Sequence, residues 1–346
     1  MQNKITSQFL LRLVCIITLL VSTALIGCVQ TETAITDGIS DTEQSPPKIA
    51  LVVSEITGEN AFNYQAVYEF NQLLEDYEFQ GSVVEVLDTY GWTEDIRTLC
   101  EEGYDYIIGV GWQAANTMPI LATSYPDTNF SVIDVADPGT GVKGYSFEIE
   151  TGCYLLGVMA ASAFPEAEIF GYIGNYDDEA NGEYLAGYYD GILSINPDAT
   201  VLTDYINSYT DTDATYEYAI AQAEQGVVFI MGSASTAAHT GLFQAALDLA
   251  AKGTPIYVSS TSIDETTSEN PYIIGGVTKN TGITVEIAVL DFLNGTLDTS
   301  IDEVLTFEDG AFGLVHFGDT PANYTNEEII TEEVLTTVEE AYQSLQ

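Results

Sequence analysis

From Lys48 onward two kinds of segment alternate, and that alternation fixes the class of fold. Short apolar runs rich in Val and Ile recur at 49–53, 82–87 (SVVEVL), 105–110 (DYIIGV), 129–135 (NFSVIDV), 169–173 (IFGYI), 227–231 (VVFIM), 255–259 (PIYVS) and 272–277 (YIIGGV). Such runs read as strands buried on both faces. Further strands are predicted at 142–147, 200–206 and 311–317. Between the strands, apolar side chains return every three or four positions. In 64–77 they are Tyr64, Val67, Tyr68, Phe70, Leu74 and Tyr77, the spacing of a helix with one buried stripe. The same reading predicts helices over 94–102, 113–124, 151–163, 182–195, 213–225, 239–252, 281–293 and 326–344. Strand and helix in alternation imply right-handed crossovers and parallel sheets. The 346 residues suit about two domains, and a second, similar series begins near Glu148.

The balance of charge narrows the partners. Lys plus Arg number 7 against 53 Asp plus Glu, a formal net charge of -46. Nucleic acid is repelled, and no basic stripe offsets the repulsion. A strongly anionic ligand is disfavoured too, unless one local cation is well placed. Most of the acidity reads as a solvated surface. Cys100 and Cys153 stand far apart in helical segments without a CxxC partner. They imply no disulfide or zinc site and read as small buried fillers.

Ahead of the folded part, residues 1–27 have the form of an export signal. Lys4 and Arg12 precede an apolar core from Leu13 to Leu25, short for a membrane span. It ends Leu25-Ile26-Gly27-Cys28, which resembles a bacterial lipobox, and Cys28 would carry the lipid, palmitate included. Residues 28–47 are polar, end in Pro46-Pro47 and read as a flexible tether. The folded part is expected outside the cytoplasm, at the cell membrane.

Catalytic signals are thin. His239 and His316 have no nucleophile or carboxylate at motif spacing, and HExxH, Walker A and GxSxG are all missing. No metal, cofactor or catalytic residue is expected. Asp177-Asp178-Glu179 and Asp211/Asp213 lack EF-hand order. Gly109-Val110-Gly111-Trp112-Gln113-Ala114 fits G-x-G-x-x-A between a strand and a helix, the outline of a dinucleotide fingerprint. It lies on the third strand–helix unit rather than the first, so an NAD-type enzyme is a remote alternative.

The order and spacing of several segments carry a more specific likeness. They are IALVVSE with AFN at 49–63, EEGYDYIIGVG at 101–111, NFSVIDV at 129–135, GCYLLGVMAA at 152–161, IFGYIGN with LAGYYDGILSINP at 169–197, and DGAFGLVHF at 309–317. Together they resemble the basic membrane protein family of bacterial substrate-binding lipoproteins, whose best understood members bind purine nucleosides for ABC-type import. The resemblance implies two Rossmann-like lobes, each a parallel sheet flanked by helices, of the type I periplasmic-binding-protein kind, with the ligand cleft between them. One lobe would hold 48–147 plus about 278–294, the other 148–277 plus about 295–346.

The resemblance also implies ligand-binding residues. Glu55 follows the first strand, where the nucleoside binders carry Asp, and Phe62 and Asn63 stand for the family's Phe-Asn pair. Asp134 closes the fourth strand, Tyr184 takes an aromatic position opening a second-lobe helix, and Lys279 follows the return strand. Ser259 stands where the family places a ribose-binding Asp, which weakens the expected grip on ribose; Asp264 is a candidate substitute. Phe62 and Tyr184 would sandwich a ring from opposite lobes or pack as ordinary core aromatics. Asp134 would accept N–H bonds from a base edge or brace its loop. Lys279 would hold a sugar or pair with Glu55 or Asp134. Trp112 would cap the ligand or pack beneath it. The small-residue loop Gly232-Ser233-Ala234-Ser235 would offer backbone N–H groups, that of Gly232 among them, or form a tight turn.

The expectation is a lipid-anchored solute-binding protein that closes on a neutral, ring-bearing solute. A purine nucleoside leads, delivered to an ABC permease and its ATPase. A membrane-tethered ligand sensor of the same fold is the alternative.

Overall fold

Ile49, Leu51 and Val53 face one side of the first strand and Ala50 and Val52 the other, and all five are fully buried. A strand covered on both sides cannot show polar–apolar alternation, hence the unbroken apolar runs. The computed structural model describes residues 45–54, 61–88, 91–233, 235–318 and 320–346.

In chain order the strands are β1 (Lys48–Val53), β2 (Gln80–Glu85), β3 (Tyr106–Val110), β4 (Asn129–Ile133), β5 (Lys143–Phe147), β6 (Ile169–Gly174), β7 (Thr200–Tyr205), β8 (Phe229–Gly232), β9 (Tyr257–Ser262), β10 (Ile273–Lys279), β11 (Glu303–Leu305) and β12 (Phe312–Leu314). One sheet has the order β11-β5-β4-β3-β1-β2, every pair parallel. The other has the order β12-β10-β9-β8-β6-β7, parallel except for the β10–β12 pair. The strand order reverses at β1/β3 in the first sheet and at β6/β8 in the second. Such switch points open a crevice at the strands' carboxyl ends.

Helices cover both faces of each sheet. On the first, α1 (Ala61–Asp76) packs on one face, and α2 (Trp92–Glu101), α3 (Trp112–Ala115) and α4 (Met118–Ser124) on the other. Trp92 and Cys100 are buried in the latter layer, as packing residues. On the second sheet α5 (Ile149–Ala163) and α6 (Glu179–Ile195) lie opposite α7 (Thr212–Glu224) and α8 (Thr236–Ala251). The α5–α6 contact runs backbone to backbone. A Cβ on Gly191 would sit 2.0 Å from the Tyr154 carbonyl oxygen, and one on Gly187 2.2 Å from that of Glu150. Those glycines are what the pattern LAGYYDG encodes. Then α9 (Thr281–Leu293) returns to the first sheet beside α1, and α10 (Glu332–Leu345) closes the second.

The chain crosses between sheets at Glu148, at Asn280 and through 306–311. The crossings are tied to one another: Glu148 N–H donates to Leu305 O (2.9 Å) and Asn280 N–H to Ala311 O (2.7 Å). Beside them Lys143 pairs with Glu303 at 2.8 Å, and Asp302 accepts the N–H of Gly144 at 2.7 Å, pinning β11 to β5.

Four local details differ from the sequence reading. Tyr64 and Tyr68, counted in the buried stripe of α1, are more than half exposed, and Ala66, Phe70 and Leu73 are the apolar side chains buried there. The helix expected over 113–124 is two, because Pro119 opens α4 and its ring cannot follow a continuing helix at Ala115. The last helix starts at Glu332 rather than near 326, with Thr331 Oγ1 accepting Val334 N–H at 3.3 Å. The three-residue β11 was not anticipated. Among the described residues no helix is long and apolar enough to cross a membrane.

Candidate functional site

Lys279 ends β10 of the second sheet, and the next residue, Asn280, caps α9 of the first: its Oδ1 accepts Ile283 N–H at 3.1 Å. The lysine therefore stands at the joint between the lobes, only 9% exposed. Its Nζ lies 2.6 Å from Asp134 Oδ1. Asp134 follows β4 of the first sheet and is held at φ +68°, with its N–H donating to Tyr145 O at 2.7 Å. That left-handed backbone is uncommon outside glycine, and such strain gathers at ligand sites. Ser262 ends β9, the strand in the corresponding place of the second sheet, and has φ +64°. The same bend thus recurs in both lobes.

Two rings flank the ammonium. The centres of Tyr184, on α6, and Phe147, at the end of β5, each lie 5.4 Å from Nζ, within cation–π range. Burial opposes the lysine's charge, but Asp134 and Tyr184 more than offset it, and its pKa is raised. Burial pushes the Tyr184 phenol up to about 12, although Lys279 pulls it down. At neutral pH the lysine is therefore an ammonium and the phenol beside it is protonated. Cys153 lies fully buried in the core they rest on, its thiol raised by the same desolvation.

The remaining expected residues fall into place around this joint or away from it. Phe62 is half-buried, and its carbonyl accepts the Thr281 hydroxyl at 2.5 Å, two residues beyond Lys279. Asn63 is buried, with Nδ2 donating to Ser54 Oγ at 2.8 Å, at the carboxyl end of β1. Trp112 opens α3 after Gly111 (φ +87°) and is 46% exposed, at the rim beside β3. Asp134, Tyr184 and Lys279 are thus brought together, with Phe62 and Asn63 nearby along the backbone. Glu55 and Cys28 lie outside the described residues.

Ser259 and Gly232 meet each other instead. Ser259 is fully buried, and its Oγ accepts Gly232 N–H at 3.0 Å across β8 and β9. Asp264 Oδ1 accepts from both the N–H and the hydroxyl of Thr266, and Oδ2 from Asn323 N–H, so that carboxylate braces its own loop. Asp178 and Asp211 cap α6 and α7. Among the described residues no group of His, Cys, Asp and Glu is placed to hold a metal. His239 is wholly buried against Gly232 and Phe243, neither ring nitrogen has a partner, and desolvation lowers its pKa to about 3.

Sequence reasoning passed over the polar knot at the carboxyl ends of β6 and β8. Tyr172, Asn175, Asn181 and Ser233 meet there: Tyr172 Oη lies 2.5 Å from Ser233 Oγ, which lies 2.8 Å from Asn181 Oδ1. The available signal was positional, since Asn175 and Ser233 directly follow apolar strands at a switch point.

Comparison with known proteins agrees with this architecture. The family model Bmp, described as "ABC transporter substrate-binding protein PnrA-like", matches residues 35–343. Basic membrane protein A of Borreliella burgdorferi is 24% identical over 276 residues, 79% of this chain and 76% of that protein. The ABC transporter nucleoside-binding protein BmpA of Lactococcus lactis is 27% identical over 121 residues, 35% of this chain and 34% of that one. A solved ABC transporter solute-binding protein from Aeropyrum pernix superposes with a TM-score of 0.67 over 86% of each chain at 20% identity, a likeness of fold.

Proposed function

The chain belongs to the Bmp family of PnrA-like ABC transporter substrate-binding proteins, and from that premise we propose that it is the receptor of a nucleoside importer, with purine nucleosides its leading ligands. Proteins of this family bind solute for an ABC transporter outside the cytoplasm and are not in general enzymes. In our reading Cys28 carries a lipid anchor, residues 28–47 are the tether, and a permease with its ATPase receives the cargo.

The observation that carries this reading is the joint itself. Asp134 from one lobe meets Lys279 from the other at 2.6 Å, with the Tyr184 ring 5.4 Å from the ammonium. A solute inserted there touches both lobes at once, and one that binds the closed form better shifts the population towards it. Asp134 accepts from a ring N–H, Tyr184 stacks, and Lys279 keeps the acidic cleft neutral enough for an uncharged guest.

A thermal-shift screen of the protein against nucleosides, free bases, sugars and vitamins tests the proposal. A nucleoside at a hundredfold over its Kd adds about 2.7 kcal/mol of stability. Silence from inosine, adenosine and guanosine, with a shift from another class, contradicts it.

A further inference from the structure

The second lobe reverses its strand order between β6 and β8, and the residues that follow those strands are Asn175 and Ser233. Around them runs a chain of donors. Asn181 Nδ2 donates to Asp178 Oδ1 (2.9 Å) and Ser233 Oγ to Asn181 Oδ1 (2.8 Å). Tyr172 Oη lies 2.5 Å from Ser233 Oγ and within 3.1 and 3.2 Å of the Asn181 carbonyl and Oδ1, so the phenol hydrogen has an acceptor whichever hydroxyl donates to the other. Each hydroxyl hydrogen has a taker, so the chain is complete without a guest.

Asn175 joins this chain at one end only. Its Nδ2 donates to the Ser233 carbonyl at 3.4 Å. A carbonyl cannot donate, so this contact fixes which way the amide faces. The opposite atom, Oδ1, is buried and has no hydrogen-bond partner. A buried acceptor left unpaired is costly, and an unpaired one at a switch point, where ligands enter, is open to a donor from a bound molecule.

We propose that Asn175 is a ligand-binding residue whose Oδ1 accepts a hydrogen bond from a sugar hydroxyl of the bound nucleoside. The assignment rests on the nucleoside reading above. Other oxygens at this edge are engaged: Ser259 Oγ holds Gly232 N–H, and Asp264 holds Thr266 and Asn323. Asp134, on the facing lobe, is left to the ring edge. The guest is thus gripped by one acceptor from each lobe, both at the carboxyl edges of their sheets.

The test is the affinity of full-length protein, wild type and Asn175→Ala, for inosine and its 2′-, 3′- and 5′-deoxy analogues. Asn175→Ala weakens inosine about tenfold and leaves the ligand-free melting temperature unchanged. One deoxy analogue binds the wild type about tenfold more weakly, and the substitution does not weaken it further. Unchanged inosine affinity in the variant overturns the contact. An equal loss across inosine and all three analogues overturns the hydroxyl as its partner. Should Asn175→Ala not fold, Asn175→Ser serves the same comparison. A wild type indifferent to inosine, adenosine and guanosine overturns the nucleoside reading and this assignment with it, and that result is read before any variant is made.

Discussion

Asp134 Oδ1 and Lys279 Nζ lie 2.6 Å apart although 145 residues separate them in the chain. The pair ties the end of β4 in one lobe to the end of β10 in the other. Asp134→Ala acts on the fold as well as on binding, because the substitution strands a buried ammonium. We expect Asp134→Ala to cost roughly 2–3 kcal/mol, below the usual figure for a fully buried pair, since the Asp134 side chain is 27% exposed. Adding Lys279→Met should recover most of that loss. Urea denaturation of the two single variants and the double variant checks it; additive losses contradict the pairing.

Tyr184 separates stacking from hydrogen bonding. Its ring sits 5.4 Å from Lys279 Nζ, and its phenol stays protonated well above neutral pH. Tyr184→Phe should keep most of the nucleoside affinity, while Tyr184→Ala should lose about tenfold, roughly one stacked ring. Equal losses in titrations of the two variants would assign the role to the hydroxyl instead.

Ser259 should matter for stability and not for binding. Its hydroxyl is fully buried on Gly232 N–H. Ser259→Ala leaves that N–H unpaired and should cost about 1–2 kcal/mol, with nucleoside affinity within about twofold of wild type, a change worth under 0.5 kcal/mol. A large affinity loss without destabilisation would return Ser259 to the ligand.

His239 gives the fold a pH dependence. Its folded pKa is lowered to about 3 by desolvation, against about 6.5 in the unfolded chain. Below about pH 6.5 the unfolded state takes up a proton that the folded state refuses. Stability is therefore complete above that pH and falls as pH drops towards the folded value, by up to about 1.4 kcal/mol per unit. His239→Leu should flatten the stability profile between about pH 6.5 and 5, above the range where most carboxylates titrate. Identical slopes in the two proteins would place the dependence elsewhere.

The strands and most helices were legible because a parallel sheet buried on both faces writes itself as apolar runs, as at Ile49–Val53 and Tyr106–Val110. Pro119 was visible in the sequence, yet the helical period ran through it and hid the break. The strand Glu303–Leu305 was invisible: three residues carry no periodicity, and its place depends on Lys143 and Asp302. Asp134 and Lys279 were legible as polar residues ending apolar strands, but their contact was one of several pairings left open. Ser259 offered a hydroxyl on paper; only the register of β8 against β9 reveals that Gly232 uses it. Asn175 is conspicuous for an acceptor left over after Ser233, 58 residues away, has taken its N–H. No local pattern encodes that.

A neutral nucleoside binding where the two lobes meet should be visible in a calorimetric titration of inosine into the protein. Saturable binding is expected at about one site per chain with a Kd of about 10 μM or tighter, lost in Asp134→Ala under conditions where that variant remains folded. Inosine that produces no saturable heat up to about 1 mM, or that binds Asp134→Ala as it binds the wild type, contradicts it.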